Sequence, residues 1–148
     1  MKYKFRPAKN PRVLIVQKVY SQLINNDQNL VYLNDGLGIY NVTVPLPPTT
    51  GTVNSVSVGD LDGDTDQDIV MAVHGDKDKI YLNNGFGDFT LSNEDIDPNN
   101  NSTTKILLAD IDSDGDIDIV KEGVQDWLHK NNGQGNFTPE NGQYYTYK

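Results

Sequence analysis

An all-β fold assembled from repeats is what this sequence predicts, and three observations predict it. The chain of 148 residues is only 36% hydrophobic, carries 13 glycines and is rich in Asn, Asp and Thr. That balance suits short strands and tight turns better than helices. Next, Asp60, Asp62, Asp64, Asp66 and Asp68 recur 50 residues later as Asp110, Asp112, Asp114, Asp116 and Asp118. Finally, "VYLNDGLGIYN", "IYLNNGFGDFT" and "WLHKNNGQGNFT" place a Gly-x-Gly pair at 36/38, 85/87 and 133/135, spacings of 49 and 48. A period near 49 that tiles the chain in this way is the mark of a repeat architecture.

Taken in order, the units read as β structure throughout. The first, residues 1–44, is incomplete: it has no acidic loop, and its opening strand would have to come from "KYKFRPAKN". In it Arg12 precedes "VLIV" where the later units have Asp68 and Asp118 before "IV", and it holds an insertion over roughly Gln17 to Gln28. The nearest approach to a helix, "VYSQLINN", is too short to weigh against this pattern. The second unit, residues 53–92, runs "SVSVGD", acidic loop, "DIVMAV", "KIYLNN" and "DFTLS"; the third, 104–140, runs "KILLAD", loop, "DIVKEG", "DWLHKNN" and "NFTPE". Asp35-Gly36, Asn84-Gly85 and Asn132-Gly133 tolerate the positive φ of hairpin turns and reverse the chain into a last strand. Residues 141–148 contain "GQYYTYK", a possible closing strand.

The connections "PLPPTTGTVN" and "NEDIDPNNNSTT" are short and flanked by the same repeat, so they join units rather than domains. The chain is therefore expected to be a single repeat domain over 1–148, of ordinary domain size. Four short strands per unit is the pattern of a propeller blade. The predicted fold is a partial β-propeller with two complete four-stranded blades plus an incomplete N-terminal one.

Net charge is −9, and the two acidic segments account for ten of the 21 acids; the remaining 11 face 12 Lys and Arg. The charge is local, and no basic excess supports a nucleic-acid partner. No run of 18 apolar residues exists to span a membrane. The start, "MKYKFRPAKNPRVLIV", has an apolar run too short for the core of a secretory signal. With no cysteine, disulfides are excluded.

Carboxylates at positions 1, 3, 5 and 9 of a loop can wrap one hard cation, and calcium takes six to eight oxygen ligands in flexible geometry. In the second loop the expected side-chain ligands are Asp110, Asp112, Asp114 and Asp118, with the carbonyl of Asp116 and water completing the shell. In the first they are Asp60, Asp62, Asp64 and Asp68, with the carbonyl of Asp66. Two calcium ions are thus expected. Gly115 at position 6 permits a sharp turn, whereas position 6 of the first loop is Thr65, and this predicts weaker binding there. Solvated acidic turns without metal are the plain alternative, made less attractive by two loops of identical spacing. An EF-hand fails, because Met71 and Lys121 stand where its bidentate Glu belongs and the flanks read as strands. Magnesium is disfavoured by its reluctance to enter all-protein cages, and zinc by the lack of accompanying Cys or His.

"VSVGDLDGDTDQDIVMAV" followed by "KIYLNNGFGDFT", and "ILLADIDSDGDIDIV" followed by "WLHKNNGQGNFT", resemble the FG-GAP and VCBS repeats of integrin-like β-propellers over Ser55 to Thr138. The resemblance implies a blade with calcium held between its first two strands, in extracellular adhesion proteins, lectins and secreted enzymes. The chain departs from that pattern where "AVHG" and "KEGV" replace the "GAP" part, and the Phe-Gly pair survives only at Phe86-Gly87. A propeller of four to eight blades needs more units than these, so either self-association or a longer gene product is expected. Exposed edge strands would otherwise be an aggregation hazard.

Catalytic chemistry finds little support. His74 and His129 fall in or beside strands and are expected to be structural or surface residues, and the Gly-x-Gly pairs open hairpins instead of cradling phosphate. Clustered loop acids are poor candidates for a glycosidase pair, which needs two carboxyls of contrasting pKa across a cleft. Trp127, Tyr144, Tyr145 and Tyr147 offer stacking surfaces for a sugar or a partner, though blade core is their commoner role. Asn41, Asn100, Asn101 and Asn136 meet the glycosylation rule, a weak signal in an Asn-rich chain. The expected function is a non-enzymatic, calcium-stabilised module for extracellular or cell-surface adhesion, binding protein or carbohydrate. The alternatives are an accessory domain of a larger secreted enzyme and a self-assembling structural array.

Overall fold

The computed structural model describes residues 13–19, 28–33, 39–40, 42–96 and 102–140. Every regular element among them is a strand. β1 (Val13–Val19), β2 (Gln28–Leu33) and β3 (Val42–Pro45) form a three-stranded sheet in that order. β4 (Thr52–Gly59), β5 (Asp68–His74), β6 (Lys79–Asn83) and β7 (Phe89–Leu91) form a four-stranded sheet, and β8 (Lys105–Ala109), β9 (Asp118–Glu122), β10 (Trp127–Asn131) and β11 (Phe137–Glu140) form another. All pairings are antiparallel between sequence neighbours. Each unit is thus a meander, as its hairpin signals require.

Two details of the first unit are corrected. β1 continues through Gln17, Lys18 and Val19, each in register with β2, so the insertion expected from Gln17 begins after Val19. The unit also reaches Pro45 instead of stopping at 44, because β3 pairs Pro45 with Leu30. The proposed opening strand "KYKFRPAKN" and the possible closing strand 141–148 lie outside the described residues.

The core lies between sheets, not within one. β5 is buried from Asp68 to Val73, and its alternating side chains divide between two clusters. Ile69, Met71 and Val73 pack with Val31, Leu33 and Leu46 of the first unit, while Val70 and Ala72 join Leu61, Ile80, Ile96, Ile106 and Ile119 toward the third. A strand covered on both faces needs a continuous apolar run, and "IVMAV" supplies it. Its neighbour β4 lies beside β8. There Ser57 Oγ donates to the Ile106 carbonyl at 2.7 Å, the Ile106 N–H donates to Ser55 Oγ at 3.3 Å, and the Asn54 amide donates to the Thr103 carbonyl at 2.9 Å.

The two boundaries differ in polarity. Between the second and third units, buried Lys121 places Nζ 2.7 Å from Asp78 Oδ2 and donates to the Ile96 carbonyl at 2.8 Å. Asp78 also accepts from the Val73 N–H and from Thr103 Oγ1. Fifty residues earlier, between the first and second units, the position of Lys121 is held by buried Met71. The position of Asp78 is held there by buried Asn29, whose amide donates to Thr49 Oγ1 at 3.3 Å.

Candidate metal centre

Each acidic loop connects the first and second strands of its sheet, and one aspartate anchors it to the rest of the unit. Asp68 opens β5 and Asp118 opens β9; both are fully buried. Asp68 Oδ1 accepts the Asn83 N–H and Oδ2 the Leu61 N–H, both at 2.8 Å. Asp118 repeats this with Asn131 and Ile111, both at 2.9 Å. A buried carboxylate with two N–H donors ties the loop to the hairpin that follows it.

Local turns shape the rest. Asp60 accepts from the N–H groups of Gly63 and Thr65, each at 2.9 Å, and Asp110 from Gly115 at 3.1 Å. Asp62 Oδ1 accepts the Asp64 N–H at 3.3 Å; Asp64 and Asp114 accept the N–H groups of Asp66 and Asp116 at 2.8 and 3.0 Å. These are side-chain turns typical of Asp. They carry positive φ at two positions per loop: Gly63 and Thr65 at 78° and 75°, Ser113 and Gly115 at 65° and 97°. Each loop therefore has one glycine and one strained residue. The asymmetry expected from position 6 shrinks to the difference between Thr65 and Ser113.

The folding brings Asp60, Asp62 and Asp68 together, and likewise Asp110, Asp112 and Asp118, with one oxygen from each lying within 4.8 Å of the others. Oxygens bound to one calcium at roughly 2.3 to 2.6 Å lie at most about 5 Å apart, so each trio fits a single ion. Asp64 and Asp114 sit on the same turns, outside these trios, each occupied by the bond just described. Asp66 and Asp116 turn their carboxylates onto Gly85 and Gly133 of their own hairpins, where any Cβ would collide with them. Asp66 Oδ1 is buried there without a hydrogen bond.

Electrostatics favours a cation. Burial pushes the Asp68 carboxyl up to about 7 against the pull of its Asn83 and Leu61 donors, with Asp62 and Asp64 adding to the rise. Burial and then the Asp64 charge raise Asp62; loss of solvent and then Asp114 raise Asp116. Carboxylates that resist ionisation while bound to N–H donors are relieved by a divalent ion.

The loops are alike inside and different outside. Over the first lies the turn of the next unit: Asn131 Nδ2 donates to the Leu61 carbonyl at 2.7 Å, and Leu61 is fully buried. A Cβ on Gly63 would come within 2.9 Å of the Gly133 carbonyl, and one on Gly135 within 3.4 Å of Asp62 Cβ. In the second loop Ile111, the counterpart of Leu61, is 49% exposed. There Lys130 Nζ stands 3.3 Å from Asp112 Oδ2 and 2.8 Å from Glu140 Oε1. These partners, Glu140 first, hold the Lys130 ammonium above its ordinary range.

Asn83 and Asn131 escaped the reading of the sequence. Each accepts the hairpin glycine N–H on Oδ1 (Gly85 and Gly133, 3.2 Å) and donates to the carbonyl before the anchoring aspartate, Gln67 at 3.1 Å and Ile117 at 3.0 Å. The signal was present in the doubled Asn of "NNG", where only the Asn beside the glycine drew attention. His74 is exposed at the end of β5, and His129 is buried in β10 with its ring 6.2 Å from half-buried Trp127. Asn136 is exposed in the last turn. Tyr144, Tyr145, Tyr147, Asn41, Asn100 and Asn101 lie outside the described residues.

No helix among the described residues is long and apolar enough to cross a membrane. No curated protein and no solved structure matches the chain. A family model, the FG-GAP-like repeat, matches residues 19–71 and again 60–120. The first match runs through the first acidic loop into β5 and the second through the second acidic loop into β9, and the chain belongs to the FG-GAP-like repeat family.

Proposed function

We propose that this chain is a calcium-binding, β-propeller-type repeat module that recognises protein or carbohydrate outside the cell, with calcium in a structural role. The observation that carries the metal assignment is the twofold recurrence of three converging carboxylates, one of them buried at the root of a strand. Asp60, Asp62 and Asp68 would hold one ion and Asp110, Asp112 and Asp118 the other, with Asp64, Asp114 and the carbonyls of Asp66 and Asp116 within the same turns. Bound calcium neutralises the clustered charge and fixes loop to hairpin. The side-by-side placement of β4 and β8 suits inner strands around a propeller axis. Completion of that ring, by further units or by self-association, is part of the proposal.

Sites of the extracellular kind bind with dissociation constants of order 10⁻⁴ to 10⁻³ M, in keeping with the extracellular or surface settings typical of FG-GAP repeats. The test is thermal melting and light scattering after size exclusion, each in millimolar calcium and in EDTA. A calcium-dependent rise in melting temperature is expected. An identical melt in both conditions, with no heat on calcium titration, refutes the metal role. A monodisperse monomer refutes self-association. A glycan array read with and without calcium distinguishes a recognition module from an accessory segment of a secreted enzyme.

A further inference from the structure

We propose that the two loops are unequal cation sites: the first is a closed, tight site locked by the neighbouring unit, and the second is a weaker, exchangeable site countered by Lys130. This rests on the calcium reading above and reverses the order expected from Thr65 at position 6.

The first loop is closed from outside its own sheet. Asn131 holds the Leu61 carbonyl, Gly133 and Gly135 press on Gly63 and Asp62, and no described cation stands on Asp60, Asp62 or Asp68. An ion there would meet ligands on a loop already braced by the third unit, so little ordering cost falls on binding. Leaving would require the third unit's turn to lift.

Among the described residues, Asp110, Ile111 and Asp112 of the second loop are exposed. Lys130 occupies part of the role an ion would take. Its ammonium sits on Asp112, a member of the converging trio, and is held in place by Glu140. The second unit has Leu82 at this register, opposite Thr90 as Lys130 is opposite Thr138. Calcium entering the second loop must therefore take Asp112 from a lysine and then sit near that lysine's charge, a difficulty the first loop does not have. Divalent–monovalent repulsion across about 5 Å of solvated loop amounts to roughly a three- to tenfold loss of affinity.

The experiment is calorimetric titration of the full chain with calcium chloride, for wild type, Asp62→Ala, Asp112→Ala, Lys130→Leu and Lys130→Gln. Two unequal steps are expected. Asp62→Ala should remove the tighter and Asp112→Ala the weaker. Either Lys130 substitution should strengthen the weaker step by about three- to tenfold and leave the tighter one in place. Lys130→Gln keeps a polar residue on this half-exposed site, so one folded Lys130 variant is secured. Equal steps, loss of the weaker step in Asp62→Ala, or an unchanged weaker step in both Lys130 variants overturns the ordering while leaving calcium binding intact. Absence of any binding in wild type instead overturns the calcium reading and the ordering with it.

Discussion

The boundary between the first and second units and the boundary between the second and third are built on one plan with opposite chemistry. At the first, Met71 and Tyr81 meet Val31, Leu33 and Leu46, and the polar links are neutral: Asn29 donates to Thr49, and Tyr81 Oη donates to the Pro47 carbonyl. At the second, the positions of Met71 and Tyr81 are held by Lys121 and His129, both buried. Lys121 is matched by Asp78, which Thr103 also satisfies. An apolar wall and an ionic wall thus occupy equivalent places 50 residues apart. Apolar area supplies docking energy at both; at the second a buried ion pair adds the penalty that either charge would suffer alone.

The strongest way to break this comparison is to leave one charge alone. Lys121→Met and Asp78→Asn should each destabilise by roughly 3 to 5 kcal/mol, the cost of stranding one member of a buried pair. The double variant recreates the chemistry of the other boundary and should recover most of that loss. Urea unfolding checks it, and additive losses would show that the two boundaries are not interchangeable.

Truncation of the linker side chains comes next. Leu46 and Ile96 lie in the two linkers, each buried in the cluster at its own boundary. Leu46→Ala and Ile96→Ala should each cost roughly 2 to 4 kcal/mol. Similar values confirm a shared apolar plan; a loss confined to one boundary would dismiss it. Smaller still is the contrast across the acidic loops. Leu61→Ala should cost about 2 kcal/mol or more, and Ile111→Ala, half exposed, within about 0.5 kcal/mol.

The smallest effect is on pH. Asp68 sits at the root of the loop that touches the third unit, with its folded pKa near 7 against an ordinary 3.8. The metal-free folded state therefore holds a proton between pH 4 and 7 that the unfolded chain has released. This contribution to stability is present below pH 4 and lost as pH rises through 7. In EDTA the melting temperature should rise on going from pH 8 toward pH 6. Calcium, which must displace that proton, should raise it more at pH 8. Identical calcium shifts at the two pH values would remove Asp68 from the site.

Much of this was legible beforehand. The period of the aspartates and of the Gly-x-Gly pairs located the strands of the second and third units, because turn chemistry and alternation are local properties. The aspartate spacing likewise marked both loops. The buried ion pair was not legible. Lys121 reads as one of 12 basic residues that balance the acids outside the loops, and only its alignment with Met71 hints at burial. The roles within the loops were half legible, since all five acids of each look alike in sequence. Which of them converge depends on φ at positions 4 and 6, and on the hairpin glycine that leaves room for Asp66 or Asp116.

The pairing of Asp78 with Lys121 bears on how a repetitive chain finds its proper order. Similar units invite slippage, in which a sheet nests against the wrong sibling. Shifted by one repeat, the third unit would seal Lys121 opposite neutral Asn29. That mismatch would strand an ammonium in a dry seam, at a cost of roughly 3 to 5 kcal/mol against the correct arrangement.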